Sequence, residues 1–163
     1  MMRWRTQVQE DDRQAVRELV MATGFFDTAE QEIAVELVDE TLARGAESGY
    51  RFLFAQDENS GGLLGYACFG QIPATASSYD LYWIVVAPGE QGKGLGATLL
   101  RKAEALCREQ GGKRMFVDTA GRKQYAPTRA FYERLGYEAA AVLDDFYADG
   151  DAKVIYAKSL RQG

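Results

Sequence analysis

The segment from Leu81 to Cys107 constrains the fold more than any other part of the chain. The apolar run Leu81-Tyr82-Trp83-Ile84-Val85-Val86 has the length and β-branched content of a buried strand. Leu95, Leu99, Leu100, Ala103, Leu106 and Cys107 then recur at the spacing of one helical face. Between them lies Gln91-Gly92-Lys93-Gly94-Leu95-Gly96-Ala97, with three glycines in five residues. Glycine lets backbone approach a ligand and adopts positive φ at little cost. The N–H groups at the start of the helix face outward, and the macrodipole favours an anion there. Strand, glycine loop and helix in this order predict an α/β chain that grips a phosphate or pyrophosphate.

Three kinds of protein build such a loop. A Walker P-loop requires G-x-x-x-x-G-K-[ST]. Here Gly94 follows Lys93 and Ala87 stands where the first glycine belongs, so that pattern fails. A dinucleotide fingerprint requires G-x-G-x-x-G/A with an acid about 20 residues on. Gly92, Gly94, Ala97 and Asp118 fit locally. Their context does not: Ala87 to Gln91, with Pro88 among them, separate the strand from Gly92. Only 45 residues follow Asp118, too few for the remaining strand–helix repeats.

The third pattern is Q-x-x-G-x-G/A. The stretch Val86-Ala87-Pro88 through Gln91-Gly92-Lys93-Gly94-Leu95-Gly96 resembles the acetyl-CoA loop of the GNAT N-acetyltransferases. A second stretch, Ala130-Phe131-Tyr132-Glu133-Arg134-Leu135-Gly136-Tyr137, resembles their late F-Y-x-x-x-G-[FY] motif. The order and spacing of the two, about 40 residues, are the family's. The resemblance spans residues 79–158 well and the first 78 in outline.

Composition is consistent with one domain over residues 1–163, long enough to bury a core. Apolar content of 47% and charged content of 26% are ordinary for a globular chain. A net charge of −5 gives no electrostatic footprint for nucleic acid. No apolar run has the 18 or more residues of a membrane span, and no signal peptide opens the chain, so a cytoplasmic location is the default. Cys68 and Cys107 read as reduced core residues. There is no histidine. That excludes Ser-His-Asp and Cys-His catalysis and imidazole-ligated zinc, and no metal is expected. A general base must be a carboxylate, cysteine, tyrosine, lysine or bound water.

Periodicity and turn residues predict the element order β-α-α-β-β-β-α-β-α-β-β. The first strand is expected over Trp4–Val8, followed by a helix capped by Asp11 with Val16, Leu19 and Val20 inward. Thr28 and Gln31 suggest a capping box for a second helix bearing Ile33, Leu37, Val38 and Leu42. Strands follow at Tyr50–Gln56, Leu63–Ile72 and Ser78–Val86, then a helix to about Gln110. Met115-Phe116-Val117 is the fifth strand, and Pro127 suits the first turn of a helix ending near Leu135. Tyr137–Leu143 and Ala152–Lys158 form a last hairpin. The resemblance implies a GNAT fold: a mixed, twisted sheet of six to seven strands, about four flanking helices, and splayed fourth and fifth strands.

The resemblance also implies roles. The cofactor's pantetheine arm would pair with backbone at Ile84, Val85 and Val86, as an added strand does. Its pyrophosphate would take N–H groups from Gly92, Lys93, Gly94, Leu95, Gly96 and Ala97, after Gln91. Tyr132 matches the tyrosine that donates to the departing sulfur. Asp118, at the end of the fifth strand, matches the position of a glutamate base in some members. Asp80 is a second carboxylate on the fourth strand, a candidate base or acceptor contact. Where many members carry Asn seven residues before the tyrosine, this chain has Tyr125, and Arg129 is the alternative contact for cofactor phosphates. Acceptor specificity would lie in Thr23–Asp27 and Asp144-Asp145-Phe146-Tyr147. There Phe25, Phe26, Phe146 and Tyr147 supply walls and Asp144 or Asp145 binds an ammonium.

These roles imply an acetyl-CoA-dependent N-acetyltransferase acting on a primary amine by direct attack in a ternary complex. The expected acceptor is a small molecule such as an amino acid, whose carboxylate Arg122, Lys123 or Arg129 would meet. Protein or peptide acetylation is the alternative. A non-catalytic acyl-CoA-binding module and a nucleotide-dependent oxidoreductase are further rivals. Members of the family often form homodimers.

Overall fold

The computed structural model describes residues 1–161. Seven strands form one sheet: β1 (Met2–Arg5), β2 (Arg51–Asp57), β3 (Leu63–Gln71), β4 (Ser78–Val86), β5 (Arg114–Ala120), β6 (Glu138–Ala148) and β7 (Asp151–Ser159). Four α-helices accompany them: α1 (Asp12–Ala22), α2 (Thr28–Arg44), α3 (Leu95–Glu109) and α4 (Ala126–Arg134). The spatial order is β1-β2-β3-β4-β5-β7-β6. Every pairing is antiparallel except β4 with β5. The expected element order holds throughout.

Two apolar cores lie on opposite faces of the sheet. On one, Leu95, Leu99, Leu100, Ala103 and Cys107 of α3 pack with Tyr132 and Tyr137 against Leu53, Ala67, Leu81 and Met115. On the other, Val16, Leu19 and Val20 of α1 and Ala34 and Val38 of α2 cover Phe52, Phe54, Tyr66 and Val85. A fully buried side chain of this size stabilises by roughly 1.5–3 kcal/mol.

Two features of β4 open the sheet. The parallel ladder with β5 runs from Ser78↔Arg114 to Leu81↔Val117 and stops there. Beyond it, Tyr82 to Val86 and Asp118 to Ala120 run on without pairing to each other. At the same point Cys68 pairs with Trp83 and Phe69 with Leu81, so Tyr82 is an extra residue, a β-bulge. The bulge reverses the alternation of β4. Tyr79 and Leu81 face the α3 core, and a regular strand would send Trp83 the same way. Instead Trp83 and Val85 face the α1–α2 core, and Ile84 and Val86 return to the α3 side.

Several local expectations are corrected. The first strand is Met2–Arg5, because Arg5 turns inward to Asp12 in a bidentate pair at 2.8 Å. Asp11 makes no side-chain cap; Asp12 takes the N–H of Gln9 at 2.7 Å. The capping box of α2 is Asp27 with Glu30, one residue before Thr28 and Gln31. Ile33 is 47% exposed, and α2 instead buries Ala34, Val35 and Val38. The last hairpin turns at Asp149-Gly150, so β6 and β7 run longer than expected, with an irregular stretch between Leu143 and Ala148.

Candidate active site

The splay between β4 and β5 opens into a cleft of about 540 Å³ that draws its walls from both faces of the sheet. From β4 come Tyr82 to Val86. From the α3–α4 face come Gln91, Gly96, Phe131 and Tyr132. From the α1–α2 face come Thr23, Phe25, Phe26 and Glu30. Asp118 and Tyr125 stand at the β5 end.

The glycine loop sits at one end. Gly92 and Gly94 have φ of 81° and 84°, and Gly94 is the N-cap of α3. The left-handed backbone, which other residues adopt only with strain, turns the chain into the helix. The first intrahelical bond is Thr98 N–H to the Gly94 carbonyl at 3.1 Å. The N–H groups of Leu95, Gly96 and Ala97 therefore have no intrahelical acceptor and are available to an anion. Gly96 has a separate reason: a Cβ there would stand 3.3 Å from the Phe131 ring. Gln91 donates its side-chain amide to the Val86 carbonyl at 3.3 Å, bracing the loop against the strand. Lys93 pairs with Glu90 at 3.1 Å and is well exposed.

Tyr132 lies on α4 with 4% of its surface exposed, in the wall of the cleft. Its ring packs edge-on against Phe131 and Tyr137. Among the described residues no group hydrogen-bonds its hydroxyl, which leaves the donor free for a bound molecule. Burial, and secondarily Tyr125, push its pKa well above the ordinary phenol value. It is therefore protonated at any working pH. Asp118 is 52% exposed and ion-pairs with Lys153 at 3.2 Å. Asp80 is half-buried, and its pKa rises to about 6, from burial first and the nearby charge of Asp118 second, with Lys153 opposing.

Not every expected site residue meets the cleft. Ile84, Val85, Val86, Gln91, Gly96, Phe25, Phe26, Asp118 and Tyr132 line it. Gly92, Lys93, Gly94, Leu95 and Ala97 form the loop and helix start beside it. Arg129 is turned away: it donates to the carbonyls of Ala120 at 2.7 Å and Arg122 at 3.1 Å, pinning α4 to the end of β5. Arg122 is held by Asp151 at 2.9 Å. Asp80, Asp144 and Phe146 do not line the cleft. Asp145 has a φ of 56° and accepts the Gly150 N–H, a turn contact. Phe146 is 53% exposed beneath the Lys153 ammonium.

Sequence reasoning missed Trp83, Glu30 and the bridging role of Tyr125. Trp83 packs on Phe26 at 4.9 Å between ring centroids, Phe26 on Phe25 at 5.1 Å, and Phe25 on Tyr125 at 5.0 Å. Gln124 donates to the Phe25 carbonyl at 3.1 Å. An aromatic arch thus runs from β4 to the start of α4 on the α1–α2 side of the cleft. The Asp27-x-x-Glu30 spacing was a readable signal for Glu30. Trp83 had none, because the bulge that redirects it leaves no mark in local sequence.

Comparison with known proteins agrees with this geometry. The profile of the Acetyltransferase (GNAT) family matches residues 13–137. A crystal structure from Desulfovibrio desulfuricans, provisionally described as an acetyltransferase of the GNAT family, is 46% identical. It superposes with a TM-score of 0.94 over 99% of this chain and 100% of its own. A Bacillus subtilis protein, provisionally named a [ribosomal protein bS18]-alanine N-acetyltransferase, is 27% identical over 101 residues. That match takes in 61% of this chain and 64% of the relative, less than two thirds of its length. An aminoglycoside 6'-N-acetyltransferase complexed with coenzyme A shares the fold, with a TM-score of 0.76 at 16% identity over 100% of this chain and 98% of its own. With the splayed sheet, the glycine loop and the family profile in agreement, this chain belongs to the GNAT family of acetyltransferases.

Proposed function

We propose that the protein transfers the acetyl group of acetyl-CoA to the primary amine of a small molecule, by direct attack within a ternary complex. One observation carries the reading. A single cleft through the splay joins the glycine-loop helix start, the unpaired edge of β4 and the buried Tyr132 to an acidic, aromatic acceptor side.

The donor set suits the cofactor. N–H groups of the loop and of Leu95, Gly96 and Ala97 would take the pyrophosphate, and backbone of Ile84, Val85 and Val86 would take the pantetheine arm. When bound, acetyl-CoA supplies a thioester carbonyl open to nucleophilic attack. The rest is done by this chain. Asp118, directly or through water, accepts the proton that an ammonium must lose before it can attack. Lys153 holds that carboxylate at the rim. The N–C bond forms as the C–S bond breaks, the attacking nitrogen sheds its second proton to solvent, Tyr132 delivers a proton to the departing sulfur, and solvent restores the phenol. Net, one proton is released. Direct attack is favoured because Cys68 and Cys107 are fully buried, where desolvation pushes the Cys107 thiol up to about 12. Neither can carry the acetyl group.

The aromatic arch supports a small acceptor over an extended peptide, since it narrows the side from which a chain would enter. Competition between free amines and peptides, read as kcat/KM, tests this. Clearly higher values for peptides would assign the activity to protein acetylation. A homodimer belongs to the same proposal. β6 is the edge of the sheet and exposes Val142 and Leu143, a surface suited to a second copy. Sedimentation equilibrium showing a monomer at micromolar concentration would remove it.

A further inference from the structure

The charge of the cleft narrows the acceptor further, on the premise of the acetyl-transfer reading. Among the described residues no lysine or arginine lines it. The cations at its edge are already paired: Lys153 with the cleft's own Asp118, Arg122 with Asp151 while its guanidinium stacks on Tyr125, and Arg129 with backbone carbonyls. The two acidic side chains in the lining are Glu30 and Asp118. Glu30 is fixed in place, because its Oε1 accepts the Asp27 N–H at 3.0 Å in the capping box of α2. Phe25, Phe26, Trp83 and Tyr125 supply the apolar surface between β4 and α4.

Such a chamber discriminates by charge. An ammonium entering it meets carboxylates and aromatic faces, both attractive to a cation. A carboxylate entering it loses water beside Glu30 and Asp118, and must compete with Asp118 for Lys153 or with Asp151 for Arg122. A free amino acid carries both groups, and its second one meets that competition here. We propose that the acceptor is a carboxylate-free primary amine on a compact apolar or aromatic body, an arylalkylamine in the simplest case. Glu30 is the specificity-determining carboxylate. The amino-acid acceptor expected from the sequence rested on Arg122, Lys123 or Arg129, none of which lines the cleft.

The test compares phenethylamine with phenylalanine, which differ only in the carboxylate. Binding to the CoA-loaded protein is read by calorimetry, and acetylation is read separately as kcat/KM. Phenethylamine is expected to bind measurably and to exceed phenylalanine by about 10²-fold or more in both readouts. Glu30→Gln keeps a side chain that completes a capping box, so the helix start survives while the charge is lost. It should cut the preference by about tenfold and leave acetyl-CoA affinity unchanged. Equal or better use of phenylalanine, failure of phenethylamine to bind, or an unchanged preference in Glu30→Gln would each overturn the inference. Normal phenethylamine binding with no acetyl transfer to any amine would leave the acceptor class standing and overturn the acetyl-transfer reading instead.

Discussion

The two faces of the sheet do different work with different materials. On the α3–α4 face the site is mostly main chain: a loop turned by Gly92 and Gly94, the first N–H groups of α3, and the free edge of β4 past Leu81. On the α1–α2 face it is almost all side chain: Phe25, Phe26, Trp83, Tyr125 and Glu30, drawn from four separate segments. Backbone chemistry needs particular residues at fixed spacing, so it leaves a pattern in sequence. Side-chain chemistry needs only that distant segments meet, and many residues can serve. The first face therefore carries the resemblance to a family, and the second leaves no pattern to read.

If the division is sound, variants on one face should leave the other's ligand untouched. Tyr132→Phe should have the largest effect. Loss of the donor is expected to lower kcat by roughly 10²–10⁴-fold while acetyl-CoA affinity by calorimetry stays near wild type. An unchanged kcat, with chemistry shown to be rate-limiting, would remove Tyr132 from the reaction. Gly94→Val comes next. A Cβ there meets no protein atom within 4 Å, so within the protein the cost is the left-handed backbone at 84°. Forcing a β-branched residue into it costs roughly 1–2 kcal/mol or more, which predicts acetyl-CoA binding weakened about tenfold or more. Wild-type affinity would break the assignment of the loop.

Phe26→Ala sharpens the comparison from the other side. Opening the arch should raise the acceptor KM by about tenfold with the cofactor dissociation constant unmoved; equal changes in both would show that the faces are coupled. Asp80→Asn has the smallest expected effect, and on stability. Its folded pKa, about 6, lies above the ordinary aspartate value of 3.8. Between those values the folded state holds more protons, so stability falls as pH rises through the window. The amide should therefore raise Tm by a few degrees at pH 7.5 and leave it nearly unchanged at pH 4. Equal shifts at both pH values would place the effect in packing instead of charge.

The same contrast explains what the sequence disclosed. β4 is read from the sequence with its observed ends, Ser78 and Val86, because a continuous apolar run bounded by turn residues admits few alternatives. The glycine loop is legible from its spacing between strand and helix, and Tyr132 from the resemblance of Phe131 to Tyr137 to the family's late motif. Arg129 could not be placed, because its partners are carbonyls of Ala120 and Arg122 and any carbonyl accepts. Asp144 and Phe146 are expected at the acceptor side because the resemblance implies acceptor contacts in the last hairpin, and the hairpin itself is legible. The irregular stretch between Leu143 and Ala148, which sets where those side chains point, was not. The arch depends on Phe25 meeting Tyr125, residues a hundred positions apart, and no local pattern encodes that.

The single extra residue at Tyr82 gives β4 a property that resembles parity. Downstream of it, odd and even positions have exchanged faces, so Trp83 packs on the α1–α2 core and Ile84 on the α3 core. Removing one residue at this point would leave composition and hydropathy nearly intact, yet exchange those two assignments. Attempts to graft an acceptor pocket between members of such a family should therefore count residues across this stretch before comparing their identities. A donor strand of matching sequence and opposite parity would present its specificity residues to the wrong substrate.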